Sequence, residues 1–95
     1  MKDAINRTIS AKHESSITKS HILNGGDHTE YTFQNGRGAS VIHGGCYARG
    51  LELAVLDSNG SLDYSTEVTD DVLGYLSDSE LDYWLDVIKS LPSED

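Results

Sequence analysis

The run Ser77-Asp78-Ser79-Glu80 constrains this chain more than any other feature. Ser-x-x-Glu is the spacing of a capping box, in which the Ser77 hydroxyl accepts from the Glu80 amide and the Glu80 carboxylate accepts from the Ser77 amide, so a helix begins here. Leu81, Trp84, Leu85, Ile88 and Leu91 then recur at steps of three and four, which puts them on one stripe, while Asp82, Asp86 and Lys89 fall to the other side. Pro92 closes the helix, because the residue before a proline is biased away from helical angles. A lone helix with one apolar stripe needs a second layer to bury it. Just upstream, Thr69-Asp70-Asp71-Val72-Leu73 reads as another cap and a short helical turn, limited by Gly74, with a break near Leu76.

The second layer is written as alternation. Tyr31 and Phe33 alternate with Thr32 and Gln34, Asn35-Gly36 favours the left-handed angles of a tight hairpin turn, and Ala39, Val41 and His43 alternate with Ser40, Ile42 and Gly44. Strands are expected at about residues 29–34 and 38–43. After a glycine-bearing loop over residues 44–50, Leu51, Leu53 and Val55 alternate with Glu52, Ala54 and Leu56. Asp57-Ser58-Asn59-Gly60 makes a second turn, and Leu62 and Tyr64 resume the pattern weakly. The fold class that follows is α+β: an antiparallel three- to four-stranded β-meander with a C-terminal amphipathic helix packed on one face. Residues 27–95 form a single domain on this reading, within reach of a chain of 95 residues. Residues 1–26 read as a poorly ordered or weakly structured segment. Ala4, Ile5, Thr8 and Ile9 have helical spacing without a cap, and a strand over residues 15–23 would carry Ile17 and Ile22 out of phase.

No apolar run approaches the roughly 20 residues a membrane span requires, and Met1-Lys2-Asp3-Ala4 leads into polar sequence. The expected location is cytoplasmic, with no membrane contact. Cys46 is the one cysteine, so no internal disulfide can form. The net charge is −9, unevenly placed. Up to Arg49, the acids Asp3, Glu14, Asp27 and Glu30 face Lys2, Arg7, Lys12, Lys19, Arg37 and Arg49. From Gly50 onward, Glu52, Asp57, Asp63, Glu67, Asp70, Asp71, Asp78, Glu80, Asp82, Asp86, Glu94 and Asp95 face only Lys89. Phosphate binding requires clustered basic side chains, so direct contact with nucleic acid is disfavoured and a partner protein with a basic surface is favoured. The competing account is that the charge keeps a small domain soluble.

Catalytic and metal signatures are thin. His43-x-x-Cys46 is the tightest ligand pair, but a structural zinc site wants four ligands, and His13, His21 and His28 all lie in the amino-terminal part. The same pair read as nucleophile and base lacks a third residue to orient the histidine. Gly36-Arg37-Gly38 and Gly44-Gly45 do not lead into a helix, as a phosphate loop would. Asp70-Asp71 with Asp63 and Glu67 lacks calcium-loop spacing. No catalytic residue, metal or cofactor is therefore assigned, and the expectation is a non-enzymatic protein; the alternative is a small metal-binding protein or enzyme using the His43/Cys46 loop. Surface recognition remains. Asp63, Glu67, Asp70, Asp71, Asp78, Asp82 and Asp86 are the expected partner-binding residues, a row of carboxylates able to imitate the phosphates of a nucleic-acid strand, with Tyr47, Tyr75 and Tyr83 as candidate anchors.

Four segments together carry a likeness: Tyr31-Thr32-Phe33, Asn35-Gly36-Arg37-Gly38-Ala39-Ser40-Val41-Ile42, Leu53-Ala54-Val55-Leu56-Asp57 and Val68-Thr69-Asp70-Asp71-Val72-Leu73-Gly74-Tyr75-Leu76. They resemble a family of small bacteriophage and prophage proteins with a Gly-x-Gly-Ala-Ser-Val-Val stretch and a Thr-Asp-Asp-Val-x-Gly-x-Leu segment before a terminal helix. The resemblance covers about residues 29–92. Ile42 stands in for the second valine and His43 for a basic residue, and the loop over residues 44–50 looks shortened. What the resemblance implies is a phage origin, action in the cytoplasm of a host cell, and binding and inhibition of a host protein such as a defence or nucleic-acid enzyme.

Overall fold

A computed structural model describes residues 8–23, 26–44, 50–63 and 73–92. Four strands, β1 (Ile17–Leu23), β2 (Gly26–Thr32), β3 (Gly38–Gly44) and β4 (Leu51–Leu56), form an antiparallel meander in the order β1-β2-β3-β4. Helix α1 (Asp78–Ser90) packs on one face, so the α+β architecture expected from the alternation and the stripe is the one found.

The fourth strand lies at the amino-terminal edge. Leu62 makes a single bridge to Leu56, and Tyr64 lies outside the described residues. β1 belongs to the sheet although its two isoleucines are five residues apart, because the strand carries a bulge. Ile17 pairs with Tyr31 and Lys19 with Glu30, so Thr18 is an extra residue, and Ile17 and Ile22 face partners four residues apart. Ahead of β1, Ala11–Ser16 form a kinked 3₁₀ turn, in which His13 leaves helical angles. Thr8 and Ile9 are irregular rather than helical, and Ala4 and Ile5 lie outside the described residues. Residues 8–16 are called the strap below. The boundary expected at residue 26 thus falls at the β1–β2 connection, inside the sheet. Of the short helical turn expected over residues 69–73, only Leu73 is described, and it is extended, bridging Leu53.

The hairpin turns are longer than an Asn-Gly pair alone. The Gly36 amide donates to the Phe33 carbonyl at 3.0 Å, the Phe33 amide donates to the Arg37 carbonyl at 2.8 Å, and Gly36 has φ +87°. This is a three-residue loop: a turn over Gln34-Asn35 followed by a left-handed glycine. Asp57 to Ser61 repeats it, with Gly60 at φ +81° and the Asp57 carboxylate accepting the amides of Asn59 and Ser61, both at 2.9 Å. Gly38 is required for a different reason, since a Cβ there would lie 2.1 Å from the Tyr31 carbonyl oxygen.

The core lies between the sheet and α1. Tyr31, Phe33, Ala39, Val41, Leu51, Leu53 and Val55 meet Leu76, Leu81, Leu85, Ile88 and Leu91, with Trp84 and Val87 half-buried at the margin. The outer edge of β4 is sealed. The Leu53 amide and carbonyl exchange hydrogen bonds with Leu73, at 2.8 and 2.9 Å, and the Leu51 carbonyl accepts from the Leu76 amide at 3.0 Å. No helix among the described residues is long and apolar enough to cross a membrane.

Candidate functional site

The expected carboxylates fall into three groups once folded. Asp82 and Asp86, placed by helical spacing on the polar side of α1, face the strap. Ser10 Oγ donates to Asp82 Oδ1 at 2.5 Å, and Lys12 Nζ donates to Asp86 Oδ2 at 2.6 Å. Buried His13 brings Nε2 within 2.8 Å of Asp86 Oδ1. The hydrogen bond from Lys12 holds the Asp86 carboxyl below its ordinary range, with the charges of Lys12 and His13 adding to it, and Asp86 raises the Lys12 ammonium in return. Asp63 is engaged differently: Arg37 Nη1 lies 3.1 Å from its Oδ2, and both side chains are largely buried, at 14% and 13% exposure. Arg37 also donates through Nε to the Pro92 carbonyl at 2.9 Å, joining the first hairpin to the end of the helix.

Asp78 alone of the described members stands exposed, at the first position of α1 beside exposed Glu80. The capping box forms as its spacing predicts: the Glu80 amide donates to Ser77 Oγ at 3.1 Å, and the Ser77 amide donates to Glu80 Oε1 at 2.8 Å. Glu67, Asp70 and Asp71 lie outside the described residues, as does Tyr47. The two described tyrosine anchors are open to solvent, Tyr75 at 77% and Tyr83 at 58%. Tyr83 meets Trp84 edge to face at 4.9 Å. It borders a shallow groove of about 400 Å³ that continues along Asp86, Val87, Ser90, Leu91 and Pro92.

The residues that sequence reasoning passed over are those that hold the strap. Tyr31 is fully buried beneath it; its hydroxyl donates to the Thr8 carbonyl at 2.6 Å and accepts from the Ser10 amide at 2.8 Å. Thr29 Oγ1 joins Thr8 Oγ1 at 2.9 Å and Ser20 Oγ at 3.0 Å. Burial pushes the Tyr31 phenol up to about 12, only partly offset by the Ser10 amide. The legible signal was the alternation Thr29, Tyr31, Phe33, which predicts a buried tyrosine whose hydroxyl must find a partner.

The described residues bear on the histidine chemistry only in part. His43 is half-buried on β3, paired across the ladder with Asp27 and Leu51, and Cys46 lies outside the described residues. His28 Nε2 meets Ser40 Oγ at 2.9 Å, but Glu30 approaches that same nitrogen at 3.5 Å and Nδ1 is buried with no partner, so no group orients the ring as a base for Ser40. Burial lowers the His28 pKa, opposed by Glu30. Among the described residues, no three His, Cys, Asp or Glu side chains are grouped to hold a metal ion. No family model, curated protein or solved structure matches the chain.

Proposed function

We propose that this protein is a non-catalytic recognition domain that binds a partner protein with a basic surface through the acidic carboxy-terminal half. The observation that supports it is how the fold distributes its few cations. Lys12 and Arg37 lie against Asp86 and Asp63, and the first turn of α1, with Asp78 and Glu80, is exposed in a chain of net charge −9. On the resemblance to phage proteins, the partner is a host defence or nucleic-acid enzyme in the bacterial cytoplasm, inhibited when carboxylates occupy the groove that otherwise takes phosphates. Asp82 and Asp86 contribute to this surface indirectly, by fixing α1 to the strap.

The test is an affinity pull-down from a bacterial lysate at low and moderate salt, with identification by mass spectrometry. The expected result is one basic nucleic-acid enzyme held at low salt and released at higher salt. Reversing Asp70, Asp71 and Asp78 to lysine should abolish its retention and leave the melting temperature nearly unchanged. Retention that ignores both salt and charge reversal would refute the proposal.

A further inference from the structure

We infer that Tyr75 is a pre-organised anchor for an arginine side chain on the basic partner, an assignment that rests on the recognition reading above. Tyr75 has φ +55°, the only non-glycine residue with a positive φ among those described. A left-handed backbone is unfavourable for a residue with a Cβ, by roughly 1 to 2 kcal/mol, and glycine is the residue that relieves it. Gly74 is adjacent, yet the left-handed position is tyrosine, a residue 77% exposed. Burial therefore returns little of that cost.

The backbone on either side is pinned. Leu73 exchanges two hydrogen bonds with Leu53, and the Leu76 amide is held by the Leu51 carbonyl. Beneath the ring lies Gly50, where a Cβ would come within 3.2 Å of Tyr75 Cδ1. A rigid base thus carries an open aromatic ring, and a ring held this way loses little freedom on binding. The acidic sequence that follows it favours a cationic occupant. Asp78 and Glu80 follow within five residues at the exposed start of α1, and the chain as a whole is strongly acidic. A guanidinium can stack on the tyrosine face while facing carboxylates, which a lysine ammonium does less well.

The experiment titrates the full chain at low salt with two synthetic peptides, one alternating arginine with glycine and one alternating lysine with glycine. Affinities are measured by calorimetry for wild type, Tyr75→Phe and Tyr75→Gly, the Tyr75 ring resonances are followed in wild type, and melting temperatures are recorded for all three proteins. The expected result is a shift of the Tyr75 resonances by the arginine peptide, tighter binding than the lysine peptide, and retention of affinity in Tyr75→Phe. In Tyr75→Gly the affinity should fall about two- to fivefold, while the melting temperature stays level or rises. Equal binding by Tyr75→Gly, or peptide binding that leaves the Tyr75 resonances unmoved, overturns the anchor and spares the recognition reading. A melting temperature lowered by several degrees in Tyr75→Gly overturns it too, since the ring is then holding the fold. Failure of wild type to bind either peptide overturns both readings together.

Discussion

The phenol of Tyr31 has no route to water, so its proton and a lone pair must both be used inside the protein, and they are used on Thr8 and Ser10. Tyr31→Phe leaves both strap groups without their partner, and a loss of about 1 to 3 kcal/mol is expected in chemical denaturation. The sign of the pH dependence follows from the raised phenol. Its folded value of about 12 lies above the ordinary 10, so the stabilisation is fully present below pH 10 and fades as pH rises toward 12. Absorbance titration should show one tyrosine ionising last, and Tyr31→Phe should remove that phase. Asn35 has a comparable role at the far end of α1. Its Nδ2 donates to the carbonyls of Ile88, Lys89 and Leu91 at 2.8, 3.1 and 2.8 Å, while its Oδ1 accepts from the Arg37 amide at 3.0 Å. These are carbonyls at the helix end, where the backbone supplies few partners; the Ile88 carbonyl also accepts from the Leu91 amide at 3.1 Å. Asn35→Ala should cost about 1 to 2 kcal/mol, and Asn35→Asp more, because a carboxylate repels the negative end of the helix. Thermal melts of the two variants would show that order.

Between strap and helix the ties are polar and partly open to solvent, so they govern local opening more than global stability. Asp86 is depressed by Lys12; its contribution is present above the ordinary carboxylate pKa and is lost as pH falls through the lower folded value. Asp86→Asn is expected to speed amide exchange at Ser10 and His13 at neutral pH while shifting the melting temperature little, and lowering the pH should bring wild type toward the variant. Equal exchange in the two proteins would refute the tie. These ties also explain which elements were legible from sequence. Helix α1 was, because its capping box and stripe are both local. β2, β3 and β4 were, because Thr29 and Tyr31, Ala39 and Val41, and Leu51, Leu53 and Val55 each mark one buried face at alternate positions. The strap was not: its buried residues are Thr8, Ser10 and His13, and a search for apolar periodicity passes over polar groups that are satisfied inside. β1 was obscured by its bulge at Thr18, which breaks the alternation while the pairing continues. Asp82 and Asp86 read as partner-binding residues on the polar side of α1 for the same reason, since the layer they meet is polar. Asn35 read as a turn residue, and its hold on the helix became visible only when the hairpin and α1 were brought together.

For the molecule as a whole, a net charge of −9 on 95 residues means that like-charge repulsion opposes the folded state. Adding salt up to about 0.15 M screens exposed charges beyond about 8 Å. The buried Arg37–Asp63 pair is screened far less, so the melting temperature of wild type should rise with salt, and a fall would show that surface pairs outweigh the repulsion. The turns after Phe33 and Asp57 also set how the protein ages. Asn followed by Gly is the sequence most prone to spontaneous deamidation, since glycine leaves the asparagine side chain open to attack by the next backbone nitrogen. The sequence carries the pair three times, at Asn24-Gly25, Asn35-Gly36 and Asn59-Gly60, and the last two form turns among the described residues. Asn59 is exposed at the second turn, whereas the Asn35 amide is held by three helix carbonyls. Of these two, Asn59 is the first to wear, and a new acid then joins a turn already built around Asp57. When deamidation reaches Asn35, the amide that caps α1 becomes a carboxylate set against the helix end, and the slow hydrolysis of one side chain turns a clamp into a wedge.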